Sequence, residues 1–187
     1  MATILRLYRA SIICERSIWP EGTMTKATAA KVKPAKGEAA RLEDFLCFAM
    51  YSANLAVNRL YNPLLDKLGL TYPQYLVLAA LYDEDNQTVG SLGDRLFLDS
   101  STLTPLLKRM EKTGYLSRQR DPADERQVRI RLTQRGRSAR EKSIDFLDEL
   151  VKATGLTPAR YRQLREELIS VRENLSRYSA ARNARVD

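Results

Sequence analysis

Apolar residues recur every three or four positions along most of this chain, the period of an α-helix with one buried face. Leu42, Phe45, Leu46, Ala49, Met50, Ala53, Ala56, Val57 and Leu60 form one continuous stripe of that kind. Pro63 then either starts a new helical turn or kinks the old one. Leu64, Leu65 and Leu68 carry the apolar face on to Gly69, where the helix stops. Thr71-Tyr72-Pro73 opens a second helix, with Pro at a tolerated first-turn position. Its Tyr75, Leu76, Leu78, Ala79 and Leu81 buttress the segment C-terminal to it.

Between Thr88 and Thr133 the pattern shortens. Val89 to Leu96 reads as a short helix, Phe97-Leu98 as a tight apolar connection, and Asp99 or Ser100 as the cap of another helix. That helix sets Leu103, Leu106, Leu107 and Met110 on one face, and Gly114 ends it. Its other positions hold Ser100, Ser101, Thr102, Thr104, Lys108, Arg109 and Lys112. Two alternating segments come next, Leu116 to Arg120 and Gln127 to Leu132, joined by the turn-rich tip Asp121-Pro122-Ala123-Asp124-Glu125-Arg126. Helix, turn, helix and basic hairpin make a winged helix-turn-helix in a mainly α chain with a small β wing. Early hydroxyls can reach base edges and phosphates in a major groove, and later cations meet backbone charge. An ordinary α+β domain with a solvated basic hairpin contains the same pieces. Their order and the sign of the charge favour DNA.

After the hairpin, Thr133 caps one long helix bearing Ile144, Leu147, Leu150 and Val151, and Gly155 ends it. Thr157-Pro158 opens the last helix. There Tyr161, Leu164, Leu168, Val171, Leu175 and Tyr178 alternate steps of three and four, a seam for another helix. The expected cover is a second copy of the chain, so the protein should be a homodimer through its N- and C-terminal helices. The organisation expected is an extension over residues 1–40, a winged-helix domain over 41–180 and a tail over 181–187. Within the domain, 71–133 is the DNA-binding core, and 41–70 and 134–180 are dimerisation helices.

Composition narrows the chemistry. The 187 residues carry a net charge of +8, which favours a polyanionic partner. With no His in the chain, Ser-His-Asp triads and His-ligated metals are excluded. The two Cys are too few for a four-ligand zinc site or a disulfide framework, so a reducing cytoplasm is the default. No metal or cofactor is implied, and no apolar run reaches the ~18 residues that span a bilayer. Residues 1–40 read as a disordered or extension segment: Arg6, Arg9 and Arg16 break up the apolar residues of its acid-poor start, and Thr25 to Ala40, rich in Ala, Lys and Thr, is expected to be disordered. They resemble an organelle presequence, or else Met24 is the true start. Cys14, in this stretch, is assigned no role.

The segment from about Leu42 to Arg137 resembles the MarR family of winged-helix regulators, and within it the organic hydroperoxide sensors of the OhrR type. LCFAMYSANLAVNRLYNPLLDKLGLTYPQYLVL resembles the sensor helix and its sequel. LFLDSSTLTPLLKRMEKTGYLSRQRDPADERQVRIRLT resembles the recognition helix and wing. The resemblance implies that Cys47 is the peroxidatic cysteine. It implies that Tyr61 and Tyr72 hydrogen-bond that cysteine across the dimer, with Tyr51 a nearby aromatic of the pocket. It implies that Arg126 is the wing-tip arginine of the minor groove, supported by Asp124, and that Ser100 to Arg109 is the major-groove helix. Ser101 stands where that subgroup usually has Gly. No Cys follows Cys47, which fits the single-cysteine branch with a small thiol as condensing partner.

The expected function is therefore a repressor that binds an inverted-repeat operator on double-stranded DNA. It is released when an organic hydroperoxide oxidises Cys47. Lys108, Arg109, Lys112, Arg118 and Arg120 would supply phosphate contacts. Two alternatives stand beside it: a MarR-type repressor released by a noncovalent phenolic or other small ligand, and a thiol peroxidase. On spacing alone Cys47 reads more readily as a buried inert thiol than as a sensor, and the resemblance reverses that preference.

Overall fold

The computed structural model describes residues 41–184. The expected extension over 1–40, with Cys14 and Met24, lies outside the described residues. Leu42–Asp44 forms a short 3-10 turn, so the first long helix begins later than the apolar stripe suggested. From Phe45 onward the chain is a separate compact unit. In order it contains α1 (Leu46–Asp66), α2 (Tyr72–Asp83), β1 (Gln87–Thr88), α3 (Val89–Leu96) and α4 (Ser100–Lys112). Then come β2 (Leu116–Arg120), β3 (Val128–Leu132), α5 (Gln134–Lys142), α6 (Phe146–Ala153) and α7 (Pro158–Asn183).

Helix α1 runs unbroken through Pro63, so of the two expectations there the restart does not occur. The turns on either side of the proline are anchored by buried Tyr61 and Leu65, which offsets the lost backbone bond. The helix stops at Gly69, whose φ of +64° suits a residue without Cβ. Leu70 N–H reaches back to Leu65 C=O at 3.1 Å. Helix α2 then begins with a reciprocal cap, in which Thr71 N–H donates to Gln74 Oε1 at 2.8 Å.

The core lies where α2, α3, α4 and the hairpin meet. Leu78, Leu81, Leu92, Leu103, Leu107, Met110, Leu116 and Ile130 are all fully buried there. Each such side chain contributes about 1.5–3 kcal/mol relative to exposure. The sheet is antiparallel in the order β1-β3-β2, with Leu116 opposite Leu132, Arg120 opposite Val128, and Gln87 opposite Ile130. The third strand, β1, has no signature in the sequence, because two residues cannot display a period of two.

Two further expectations are corrected. The single long helix after Thr133 is two helices, α5 and α6, broken at Ser143. Buried Ser143 donates its hydroxyl to Arg140 C=O at 2.7 Å, an interaction that competes with helix continuation. The C-terminal helix extends to Asn183, into the stretch expected to be a tail.

Candidate nucleic-acid interface and thiol site

The reading unit is set by caps and one tight turn. Thr88 Oγ1 accepts Ser91 N–H at 3.1 Å and starts α3. Phe97 closes α3 in the left-handed region, φ +56°, and Leu98 N–H returns to Gly93 C=O at 3.0 Å. A Cβ on Gly93 would lie 2.8 Å from the Leu98 carbonyl oxygen, so this close turn requires glycine. Asp99 is the N-cap of α4, but its side chain makes no capping bond. Its carbonyl instead receives Thr102 and Leu103 N–H groups at 3.0 and 2.9 Å.

Helix α4 buries Leu103, Leu106, Leu107 and Met110. It leaves Ser100, Ser101, Thr102, Lys108, Arg109 and Lys112 exposed, with Thr104 half-buried. Pro105 sits inside α4 on the exposed side and withholds the backbone N–H that Ser101 C=O would otherwise receive.

The wing arginines divide into two groups. Arg118 is half-buried and tied to Glu111, whose Oε1 accepts Arg118 N–H at 3.1 Å, with the guanidinium 3.5 Å from Oε2. Arg129 donates to Asp121 at 2.6 Å and to Asn86 C=O at 3.1 Å, and Arg131 donates to Asn86 Oδ1 at 2.8 Å. Arg137 pairs with Asp85, whose other oxygen takes Leu132 N–H at 2.9 Å. These four fasten the hairpin to the body. Arg120 and Arg126 are exposed, and among the described residues neither guanidinium takes part in an ion pair. Asp124 shapes the tip: Oδ1 accepts Arg126 N–H at 3.1 Å and Oδ2 accepts Gln127 Nε2 at 3.0 Å. The backbone N–H of Ala123 and then the Arg129 guanidinium hold the Asp121 carboxyl below the usual carboxylate range.

Cys47 is exposed in the first turn of α1, and Tyr51, one turn on, is exposed as well. Tyr61 and Tyr72 come together with ring centroids 5.3 Å apart. Tyr75 and Phe146 complete an aromatic cluster, each within 6.4 Å of Tyr61. Burial first, then Tyr75 and Tyr161, push the Tyr72 phenol above its ordinary value, so it stays a neutral O–H donor. Within one chain the structure does not bring Cys47 to these tyrosines. Fourteen positions of continuous helix separate Cys47 from Tyr61, about 21 Å at 1.5 Å per residue. Sequence reasoning missed Phe146 and treated Tyr75 only as core. Their signal was weak, because both sit in ordinary apolar patterns.

Residues 59–143 match the family described as transcriptional regulator SarA/Rot. The organic hydroperoxide resistance transcriptional regulator of Bacillus subtilis is 42% identical over 135 residues, covering 72% of this chain and 92% of that protein. The HTH-type transcriptional regulator TtmR of Methylorubrum extorquens is 50% identical over 135 residues, covering 72% and 69%. Reduced AbfR bound to DNA, a Staphylococcus epidermidis protein, superposes with a TM-score of 0.61 at 36% identity, covering 72% of this chain and 94% of that one. Fold and exposed reading face together define a winged-helix regulator of transcription, not an enzyme. The chain belongs to the MarR family, and within it to the organic hydroperoxide resistance regulator type.

Proposed function

We propose that this protein is a dimeric repressor, released from an inverted-repeat operator when an organic hydroperoxide oxidises Cys47. The observation that carries this reading is the layout of α1. An exposed thiol stands at one end of an uncovered apolar face, and the Tyr61–Tyr72 pair stands at the other. Two copies of α1 packed antiparallel about a two-fold axis near Asn54 would set each Cys47 beside Tyr61 of the partner subunit. Isologous pairing of this kind is the common way for such a face to be buried.

The chemistry balances with two small reactants. The Cys47 thiolate attacks the hydroperoxide O–O bond. An S–O bond forms, the O–O bond breaks, and the leaving alkoxide takes up the proton that the Cys47 thiol gave up on ionising, giving a sulfenic acid and an alcohol. A small thiol then attacks that sulfur, a mixed disulfide forms and water leaves. Phenol donors that bonded the thiolate lose their partner. Tyr72 sits at the start of α2, which packs on α3, α5 and β3, so a shift there alters the spacing of the two reading heads.

At the DNA, α4 would enter the major groove with Ser100, Ser101, Thr102 and Thr104 leading. Lys108, Arg109, Lys112 and Arg120 would lie on phosphates, and Arg126 would lie in the minor groove. Arg118, held by Glu111, would act by positioning the wing more than by direct contact.

The test is peptide mapping after one equivalent of an aromatic hydroperoxide with a small thiol. The Cys47 peptide should carry one thiol adduct. Operator release with an unmodified Cys47 peptide would remove the covalent switch.

A second reading has one observation behind it. Arg140 lies over the rings of Tyr75 and Tyr82 at 5.8 and 5.7 Å, and among the described residues its buried Nε and Nη1 have no hydrogen-bond partner. Two such nitrogens beside an aromatic cluster suit a phenolic carboxylate held noncovalently. Release of Cys47→Ser from the operator by such an acid would favour that reading.

A further inference from the structure

Away from the thiol and the reading face, a cavity of about 220 Å³ lies between the end of α1 and α5. Lys67, Arg135 and Lys142 line it, with Leu68, Tyr115 and Ser138. Among the described residues no carboxylate lines it, although Asp66 and Glu141 adjoin two of the cations in sequence. Among the described residues none of the three cations takes part in an ion pair. Three like charges around one cavity repel one another, and a bound anion relieves that repulsion.

Arg135 is also held in place. Its guanidinium carbon lies 4.5 Å from the centre of the buried Tyr115 ring. Its Nη2 donates to Tyr115 Oη at 3.4 Å, and that hydroxyl donates in turn to Leu68 C=O. A guanidinium braced against a ring keeps its remaining N–H groups in a fixed fork, which matches two oxygens of an oxyanion. Lys67 and Lys142 supply charge from either end, and Ser138 a hydroxyl.

We propose that this cavity binds a phosphate-class oxyanion. The walls come from three places: the end of the thiol-bearing helix, the α4–β2 junction and α5. A bound anion therefore clasps the sensor helix to the reading unit. The ligand chemistry has two sources, a free phosphate or a phosphate of bound DNA. The DNA source rests on the regulator reading and the free source does not.

The experiment uses the full chain. Inorganic phosphate is titrated calorimetrically at constant ionic strength into wild type, Arg135→Gln and the double variant Lys67→Gln/Lys142→Gln. The double variant keeps the Tyr115–Arg135 stack, so it tests the charge without disturbing the junction. Saturable binding of one phosphate per chain, about tenfold or more weaker in the double variant, is expected for a free anion. If the source is DNA, wild type shows no saturable phosphate binding. The salt dependence of operator affinity is then shallower in the double variant, by a slope of about 1–2. No saturable phosphate binding together with an unchanged salt slope overturns the proposal. A wild type that binds no operator DNA sinks the regulator reading, and the phosphate titration alone then decides the cavity.

Discussion

Arg126 presents its guanidinium at the wing tip because its own backbone is pinned. Asp124 accepts its N–H at 3.1 Å, and Gln127 N–H closes the turn on Asp124 C=O at 2.9 Å. The carboxylate shapes the loop and the cation is left over for a partner. Arg126→Ala should weaken operator binding by about 1–3 kcal/mol while leaving the dimer's mass unchanged. Anisotropy titration at physiological salt reads this directly, and an unaltered affinity would take the wing out of the interface.

The Asp121 carboxylate holds the base of the wing, accepting the Ala123 N–H and the Arg129 guanidinium. Its folded-state pKa lies below the unfolded value, so its contribution to wing order is present above the ordinary carboxylate range. That contribution is lost as pH falls through the folded value. In an NMR titration Asp121 should protonate below the unperturbed range. Arg129→Gln should move it part of the way back, since the Ala123 N–H persists at 2.9 Å. Protonation at or above the ordinary value would contradict the assigned hydrogen bonds.

Among the elements, α4 could be read directly from the residues because its apolar face and the Gly114 stop agreed, although Asp99 makes no side-chain cap. The expected span Val89 to Leu96 matches α3 residue for residue. Three features were hidden for physical reasons. Pro63 normally signals a break, but buried Tyr61 and Leu65 on either side outweigh it. Ser143 carries no breaking signal, yet its back-bond to Arg140 splits one helix into two and turns Phe146 toward the tyrosines. The unusual backbone of Phe97 is invisible in an apolar dipeptide; Arg172 lies 4.1 Å over its ring. The candidate site was legible as residue types. That Arg129 and Arg131 brace the hairpin, while Arg120 and Arg126 stay exposed, needed coordinates.

Gly136 tests how closely α5 docks on the α4–β2 junction. An added Cβ would lie 2.1 Å from the Tyr115 carbonyl oxygen, where backbone cannot yield cheaply. Gly136→Ala should destabilise the protein by about 1–3 kcal/mol in urea unfolding, with the slope preserved. No loss of stability would mean that α5 sits farther from the junction.

For the whole molecule, the proposed dimer rests on the apolar positions left uncovered in the single chain. Leu46 and Leu55 on α1, and Leu164, Leu168, Leu175 and Tyr178 on α7, are all at least 37% exposed in the isolated chain. Monomers rarely leave contiguous patches of this kind to water. Leu168→Asp/Leu175→Asp should sediment as a monomer and lose most of its operator affinity, since two linked reading heads bind far more tightly than one. A dimer of unchanged mass would place the interface elsewhere. Half-sites about 34 Å apart are expected from the two-fold.

In the proposed function, oxidation at Cys47 controls DNA binding. Operator DNA is titrated by fluorescence anisotropy with wild type and Cys47→Ser, each with and without a stoichiometric organic hydroperoxide and a small thiol. Release of the wild type alone is the predicted result. Retention of both on the DNA, or release of both, would contradict sensing through Cys47.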